Sequence, residues 1–204
     1  MTPDYWHRAK RALARRDAVL AGIIRAHPRI ALVQRGEPFK TLARAIVGQQ
    51  ISVKAAESVW NRVLAVAPLA APDQIYRARR RLAACGLSQR KAEYIADLAR
   101  HFIDGSIHAR DWPQMDDDAV IAELIQVRGI GRWTAEMFLM FNLLRPDVLP
   151  LDDLGLQRAI CLHYFDGARV AREDMRALGA TWAPWRSVAT WYLWRSLDPV
   201  PVEY

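Results

Sequence analysis

Apolar residues recur at helical spacing along most of this chain. They form one stripe over residues 5–26, which His27–Pro28 ends, so the sequence predicts a single helix there. A second stripe begins at Phe39 and stops at Gly48, where two glutamines follow. Residues suited to N-cap positions precede the later stripes, and we expect each of them to start a helix: Ser52, Asp73, Ser88 and the acidic triplet Asp116–Asp118.

One interruption of this pattern carries chemical meaning. Gly129 and Gly131 flank Ile130, with apolar helical stripes on both sides, so the sequence predicts two short helices that meet at the glycines. The second helix begins with N–H groups that have no intrahelical partner and with the positive end of its dipole. Such a helix start binds phosphate without any side-chain charge.

Composition agrees with a polyanionic partner. The 204 residues are 52% hydrophobic, enough for a sizeable core, and carry a formal charge of +7, mostly from arginine. The two cysteines, Cys85 and Cys161, lie among apolar residues, so we expect buried free thiols, and two thiolates are too few for an iron–sulfur cluster. No apolar run approaches a membrane span and no signal peptide is present, so we expect an intracellular protein.

Four blocks of sequence together resemble a known family. They are F-K-T-L-A-R-A-I-V-G-Q-Q-I-S-V-K-A-A from Phe39, G-L-S-Q-R-K-A-E-Y-I from Gly86, G-I-G-R-W-T-A-E followed by P-L-D-D, and W-A-P-W-R-S-V-A-T-W-Y-L-W from Trp182. In this order they resemble the helix-hairpin-helix–Gly/Pro/Asp superfamily of DNA glycosylases, and within it the AlkA-type 3-methyladenine DNA glycosylases. The resemblance covers nearly the whole chain from residue 39.

The resemblance implies an all-α fold with two helical lobes flanking a cleft. The chain resembles the compact subgroup of the family, which lacks an N-terminal β-domain, because only about 38 residues precede the first matching block. We expect the N-terminal helix (1–36) to pack with a C-terminal lobe (149–204). A second lobe (37–148) would contain the helix-hairpin-helix at about 121–142, and the cleft would hold Asp153 and Trp133.

The family motif also suggests which residues contact the DNA backbone. They would be Gly129, Ile130, Gly131, Arg132 and Thr134 of the hairpin, together with Lys91, whose place in the first turn of a helix opposes the helix dipole. Members of the family commonly hold a cation on hairpin carbonyls. Here those would be Val127 and Ile130, and a structural monovalent cation there is the only cofactor that the resemblance suggests.

Catalysis requires a carboxylate, because cleavage of an N-glycosidic bond develops positive charge on the sugar. Asp152 and Asp153 stand together before a predicted helix, and the residues alone do not choose between them: one can cap the helix while the other faces the cleft. The family's Pro/Asp loop, with its spacing to Arg158, assigns catalysis to Asp153 and a structural role to Asp152.

The target nucleotide must leave the stacked duplex to be reached. By the family match, Gln50 is the wedge that fills the gap, with Gln49 beside it; a pair that merely caps the helix end is the alternative. Trp133, Met137 and Trp194 match the base pocket, although relatives often have aromatics at Met137 and at Arg195. The alternative for Trp194 is ordinary core packing.

Trp133 also bears on the type of reaction. Bifunctional members of the superfamily carry a lysine at this position, and residues 127–153 contain none, so we expect water as the nucleophile and no strand cleavage.

The sequence therefore predicts a monomeric, monofunctional glycosylase of base excision repair. It would release alkylated purines from damaged double-stranded DNA, without a required cofactor, in the cytoplasm at the nucleoid and away from membranes. Two alternatives remain: a glycosylase for another lesion such as hypoxanthine, uracil or an oxidised purine, and a non-enzymatic helix-hairpin-helix DNA-binding protein.

Overall fold

A computed structural model describes residues 2–197, and within these residues all regular secondary structure is helical. The prediction of an all-α fold is confirmed. Two 3-10 turns, Arg79–Arg81 and Ala83–Cys85, follow the fifth helix. The α-helices are α1 Trp6–Arg16, α2 Ala18–Ala26, α3 Pro38–Gly48, α4 Val53–Val66, α5 Pro72–Ala78, α6 Gln89–Asp104, α7 Asp117–Leu124, α8 Arg132–Phe141, α9 Leu154–Tyr164, α10 Arg172–Ala180 and α11 Arg186–Leu197.

The single helix expected over residues 5–26 is wrong, because Asp17 divides it into α1 and α2. Asp17 adopts an extended backbone, and its carboxylate accepts the Leu20 amide at 2.9 Å as the N-cap of α2. The same carboxylate accepts the Tyr164 hydroxyl at 2.7 Å and the Trp182 indole N–H at 3.0 Å. A cap that also receives two side-chain donors from distant parts of the chain outweighs the continuous apolar stripe of the sequence.

Local capping signals were mostly reliable. Ser52, Ser88 and Asp116 accept the amides of Ala55, Lys91 and Ala119, as an N-cap does. Asp73 does not cap α5, because the helix begins one residue earlier at Pro72, with Ala71 as its N-cap. Proline suits the first helical position, since it has no N–H to leave unsatisfied.

The hairpin differs from expectation at its first helix. Helix α7 ends at Leu124, five residues before Gly129, rather than at the glycines. Tight turns follow, in which the amides of Gln126 and Val127 bond to carbonyls three residues earlier. The apolar stripe leading to the glycines is therefore only partly helical, and Ile125, part of that stripe, is half exposed. We name residues 125–131 the hairpin turn.

The chain divides into two compact units. Among the described residues, one unit comprises Arg35–Phe138, and the other, which we name the terminal unit, comprises residues 2–34 and 139–197. The sequence prediction placed the boundaries between the two lobes after residues 36 and 148. In the Arg35–Phe138 unit, four rings contact one another edge to face in the core, with centroids 5.1–6.1 Å apart: Phe39, Phe102, Trp112 and Phe138.

The segment after Phe138 belongs to the terminal unit because its polar groups bond there. Tyr5 donates its hydroxyl to the Leu144 carbonyl, and Ser187 accepts the Val148 amide. Arg186 forms two bonds of 2.8 Å with the Asp147 carboxylate. The loop that leads to Asp153, residues 147–153, is thus tied to the start of α11; we name it the Asp153 loop.

Both cysteines are free thiols, Cys85 buried and Cys161 only partly so. Across residues 2–197, none of the helices combines the length and apolar character that crossing a membrane would demand.

Candidate active site and nucleic-acid interface

The hairpin turn depends on Gly129 for two independent reasons. Its φ of +87° lies in the left-handed region, which L side chains rarely adopt. A Cβ on this residue would also lie 2.2 Å from the ring of Tyr94 on α6, so the ring packs directly against the glycine backbone. The turn is therefore specified by its backbone conformation and by a close contact that no other residue type permits.

A buried carboxylate on α6 holds the hairpin turn by accepting one of its backbone amides. Asp97, 6% exposed, accepts the Arg128 amide at 3.0 Å and the Arg100 guanidinium at 2.9 Å. Burial alone would raise the pKa of Asp97, but these hydrogen bonds and the nearby charges of Arg128 and His101 outweigh it, so its pKa is lowered. The carboxylate is thus an ionised anchor for the residue that precedes Gly129.

The second helix of the hairpin, α8, begins at Arg132, and its first helical bond runs from the Ala135 amide to the Gly131 carbonyl. Gly131 is exposed, as a phosphate contact requires, whereas the side chains of Ile130 and Thr134 are buried. The Ile130 amide donates to the Val127 carbonyl at 3.1 Å, so this amide stabilises the hairpin turn itself.

The Arg132 guanidinium is held within its own unit by two carboxylates. It bonds to Glu136 at 3.0 Å, one helical turn further along α8, and approaches Asp118 of α7 at 3.4 Å. More than half of the Arg132 side chain remains exposed. A phosphate would therefore compete with these two acidic partners for the charge.

The predicted cation site offers carbonyl oxygens, the kind of donor atom that a monovalent cation binds. Hard cations take oxygen ligands, and a carbonyl oxygen that accepts one hydrogen bond keeps a second lone pair. The Val127 carbonyl, which accepts the Ile130 amide, is such a group. The carbonyls of Val127 and Ile130 therefore fit a monovalent cation in chemistry, and its presence stays a prediction.

The two glutamines after α3 have different surroundings. Gln50 is exposed and adopts a φ of +57°, a strained conformation for a residue with a Cβ. Gln49 is partly buried, and its side-chain amide donates to the Gly129 carbonyl at 2.9 Å. Of the two, only Gln50 has the exposure that a wedge requires, and the wedge role stays a prediction.

Lys91, which the resemblance assigns to the DNA backbone, makes a contact within the protein. Its ammonium donates to the carbonyls of Val47 and Gln49, at 2.8 and 2.6 Å, at the C-terminal end of α3. Cations are favourable there, since the last carbonyls of a helix are unsatisfied and carry the negative end of the dipole. This contact explains a lysine in the first turn of α6 without a phosphate, and its assignment to the DNA backbone stays a prediction.

The two adjacent aspartates are clearly distinguished by the structure. Asp152 is exposed and paired with Arg172. Asp153 is 5% exposed, and one oxygen, Oδ1, accepts both the Leu156 amide at 2.7 Å and the Trp194 indole N–H at 2.8 Å. Of the two, Asp153 is the N-cap of α9, so the residue that the resemblance assigns to catalysis is also the one that caps the helix; its catalytic role stays a prediction.

Trp194 lies in an aromatic group of the terminal unit. It stacks on Phe141, with centroids 6.0 Å apart and planes at 12°, and meets Trp191 edge to face. Arg195, 4% exposed, places its guanidinium 4.5 Å from the Trp191 ring centroid. The indole that orients Asp153 is thus fixed in turn by neighbouring rings.

The other two predicted pocket residues lie on α8. Trp133 is partly exposed and Met137 is 7% exposed. The prediction that Asp153 and Trp133 line one cleft is not tested by these positions and stays a prediction.

Sequence reasoning missed two residues that the geometry brings to these sites. Asp97 lies among the buried apolar residues of α6, and a charge on that face was the available signal. Gly155 lacks space for a side chain, because a Cβ would lie 3.1 Å from Asp153 Oδ1 and 3.2 Å from the Trp194 ring. The local sequence does not indicate this, since the Trp194 side of the space is formed by α11 and Asp153 Oδ1 is placed there by its bond to the Trp194 indole.

The fold, the hairpin and the capped aspartate define a class of protein. Residues 43–184 match the family described as HhH-GPD superfamily base excision DNA repair protein, and the chain belongs to that family.

Individual relatives refine this assignment. The chain is 42% identical over 111 residues to the putative DNA-3-methyladenine glycosylase YfjP of Bacillus subtilis, a match that covers 54% of this chain and 39% of that relative's length. It is 33% identical over 174 residues to DNA-3-methyladenine glycosylase 1 of Schizosaccharomyces pombe, covering 80% and 74%. A solved complex of the 3-methyladenine DNA glycosylase of that yeast with abasic DNA has a TM-score of 0.81, with 28% identity and coverage of 97% and 98%.

Proposed function

We propose that this protein is a monofunctional DNA glycosylase that hydrolyses the N-glycosidic bond of alkylated purines in duplex DNA. The observation that carries the proposal is the Asp153 carboxylate, which is buried, accepts the Leu156 amide as the N-cap of α9 and is oriented by an indole N–H 41 residues away. The family assignment and the activities named for the relatives support it.

In the proposed reaction the base departs with the electron pair of the bond between C1′ and nitrogen. Positive charge then develops on the sugar, and the fixed negative charge of Asp153 stabilises it. Water attacks C1′ through oxygen and gives up a proton, which Asp153 can accept. Purines alkylated at N3 or N7 are cationic and leave as neutral bases, so the site requires no general acid.

We propose water rather than an amine as the nucleophile. Position 133, where bifunctional members of the superfamily carry a lysine, is tryptophan, and residues 127–153 contain no lysine at all. The product would be an abasic site on an intact strand.

For binding, we propose that the exposed start of α8 holds a phosphate of damaged duplex DNA through backbone N–H groups of its first turn. Val127 and Ile130 would hold a monovalent cation, which would add positive charge beside that phosphate. Gln50 would enter the duplex, and Trp133, Met137 and Trp194 would contact the extruded base. The protein would act as a monomer.

Adjacent aspartates provide a matched test. Asp153→Asn should lower base release from methylated duplex DNA by at least about 100-fold, because the charge that stabilises the transition state is lost. Release of free bases and of alkali-labile sites is measured, with duplex affinity and thermal midpoint as checks.

Asp152→Asn is the control, since Asp152 is exposed and pairs with Arg172. It should change release by less than about threefold. Normal release by Asp153→Asn, or strand cleavage before alkali, would contradict the proposal.

A further inference from the structure

A short turn joins α3 to α4 and carries the exposed Gln50; we name residues 48–52 the Gln50 turn. Helix α3 ends at Gly48 and Ser52 caps α4, so only four residues separate the last residue of one helix from the first of the next. Gln50 is strained by its positive φ. Strain of this kind persists only where surrounding contacts over-determine the conformation.

The first such contact comes from Lys91. Its ammonium bonds to carbonyls on either side of Gly48, those of Val47 and Gln49, at 2.8 and 2.6 Å. Two short charge-assisted bonds fix the end of α3 relative to α6. Burial lowers the pKa of Lys91, in accord with an ammonium withdrawn from water onto these carbonyls.

The second contact joins the Gln50 turn to the hairpin turn. The Gln49 side-chain amide donates to the Gly129 carbonyl at 2.9 Å, across 80 residues of sequence. Gly129 is held in its turn by the ring of Tyr94, against which its backbone packs. Lys91 and Tyr94 are three residues apart on α6, so one helix supports both turns.

We propose that Gln49 and Lys91 are positioning residues that seat the Gln50 turn on the hairpin turn, so that backbone binding by the hairpin sets the depth at which Gln50 enters the duplex. This inference rests on the proposed function of Gln50. It gives the two adjacent glutamines separate roles: Gln49 makes the tether with an amide N–H, and Gln50 makes the insertion.

Insertion can be measured without base release. A duplex with 2-aminopurine beside a stable abasic analogue brightens when an inserted side chain unstacks the fluorophore. Gln49→Ala and Lys91→Met should reduce the fluorescence rise to less than about a third of the wild-type value. For Gln49→Ala, affinity for undamaged duplex should fall by a smaller factor than the fluorescence rise does, because the hairpin turn loses one contact but keeps those of Tyr94 and Asp97. Lys54→Met, an exposed lysine on α4, is the control.

A double-mutant comparison separates positioning from other roles. If Gln49 acts through Gln50, the variant with both Gln49→Ala and Gln50→Ala should be no worse than Gln50→Ala alone. Gln49→Glu keeps the shape of the side chain but places an ionised carboxylate, which can only accept, against the Gly129 carbonyl. The fluorescence rise of this variant should recover as the pH falls, because the protonated carboxyl can donate.

The outcomes distinguish two failures. A normal fluorescence rise with Gln49→Ala, when Gln50→Ala reduces it, overturns the positioning role alone. Additive losses in the double variant overturn it as well. A normal rise with Gln50→Ala shows that the insertion assignment is wrong, and the positioning role is then wrong with it.

Discussion

The hairpin turn and the Asp153 loop solve different problems with different means. The hairpin turn presents backbone groups, and its conformation is held by Asp97, Gln49 and the ring of Tyr94. The Asp153 loop presents one side chain, held by its own helix start and by an indole within an aromatic group. In the hairpin turn, hydrogen bonds from Asp97 and Gln49 hold the backbone around a glycine. In the Asp153 loop, the indole that bonds to the carboxylate is held by apolar packing.

This difference has a practical meaning for substitutions. A change under the hairpin turn alters the shape of the backbone, so binding and stability should fall together. A change around Asp153 leaves the backbone in place and alters the direction or distance of one carboxylate, so turnover should fall while binding remains. Four variants test whether the two regions separate in this way.

Gly129→Ala should have the largest effect. The substitution forces a Cβ onto a left-handed residue and against Tyr94, so we expect a loss of about 2–4 kcal/mol in the free energy of unfolding. Affinity for undamaged duplex should fall at least about tenfold. Denaturant unfolding and fluorescence anisotropy measure the two quantities.

Gly131→Ala is the natural comparison, since a Cβ there meets nothing within 4 Å and no positive φ is needed. Its unfolding free energy should change by less than about 1 kcal/mol. Equal destabilisation by both alanines would mean that the hairpin turn does not depend on Gly129 in the way described.

Asp97→Asn should cost about 1–3 kcal/mol at neutral pH, because the Arg128 amide and the Arg100 guanidinium lose a buried, charged acceptor. Since folding lowers the pKa of Asp97, its stabilisation is complete above the unfolded value near 3.9. It is lost as the pH falls through the folded value. The stability difference between wild type and variant should therefore narrow as the pH falls below about 4, as urea unfolding would show. A difference that grows below this pH would contradict the sign.

Trp194→Phe keeps a ring against Phe141 but removes the N–H that bonds to Asp153. We expect kcat to fall roughly tenfold, the equivalent of about 1.4 kcal/mol, with duplex affinity unchanged. Single-turnover release of methylated bases measures the effect. Trp191→Phe is the control, because the Trp191 indole N–H has no hydrogen-bond partner among residues 2–197. A similar loss in both variants would indicate a packing effect.

Gly155→Ala should have the smallest effect. A Cβ 3.1 Å from Asp153 Oδ1 requires the carboxylate or the indole to move by a few tenths of an ångström. We expect a threefold to fivefold lower kcat and an unchanged KM, which corresponds to about 1 kcal/mol or less. Gly22→Ala, where nothing lies within 4 Å, shows what an added methyl does elsewhere. An unchanged kcat for Gly155→Ala would mean that the carboxylate tolerates this displacement.

What could be predicted from the sequence followed the range of the interactions. Ser52 and Ser88 cap helices that start one residue later, so their signal was local and was read correctly. The division at Asp17 was missed because the acceptor's other partners, Tyr164 and Trp182, are about 150 residues away.

The candidate site shows the same limit. Glycine spacing indicated a hairpin, but Gln49 reaches Gly129 across 80 residues and Trp194 reaches Asp153 across 41. Only the assembled structure brings such pairs together. The choice of Asp153 over Asp152 came from the family resemblance, and burial now distinguishes the two residues.

The capping role of Asp153 has one further consequence. Asparagine starts helices about as well as aspartate does, so exchanging the acid for its amide keeps the beginning of α9 intact. If Asp153 has the proposed catalytic role, the Asp153→Asn protein should fold normally and release no base. Such a protein would be a reagent for capturing lesion-bearing DNA before the bond is cut.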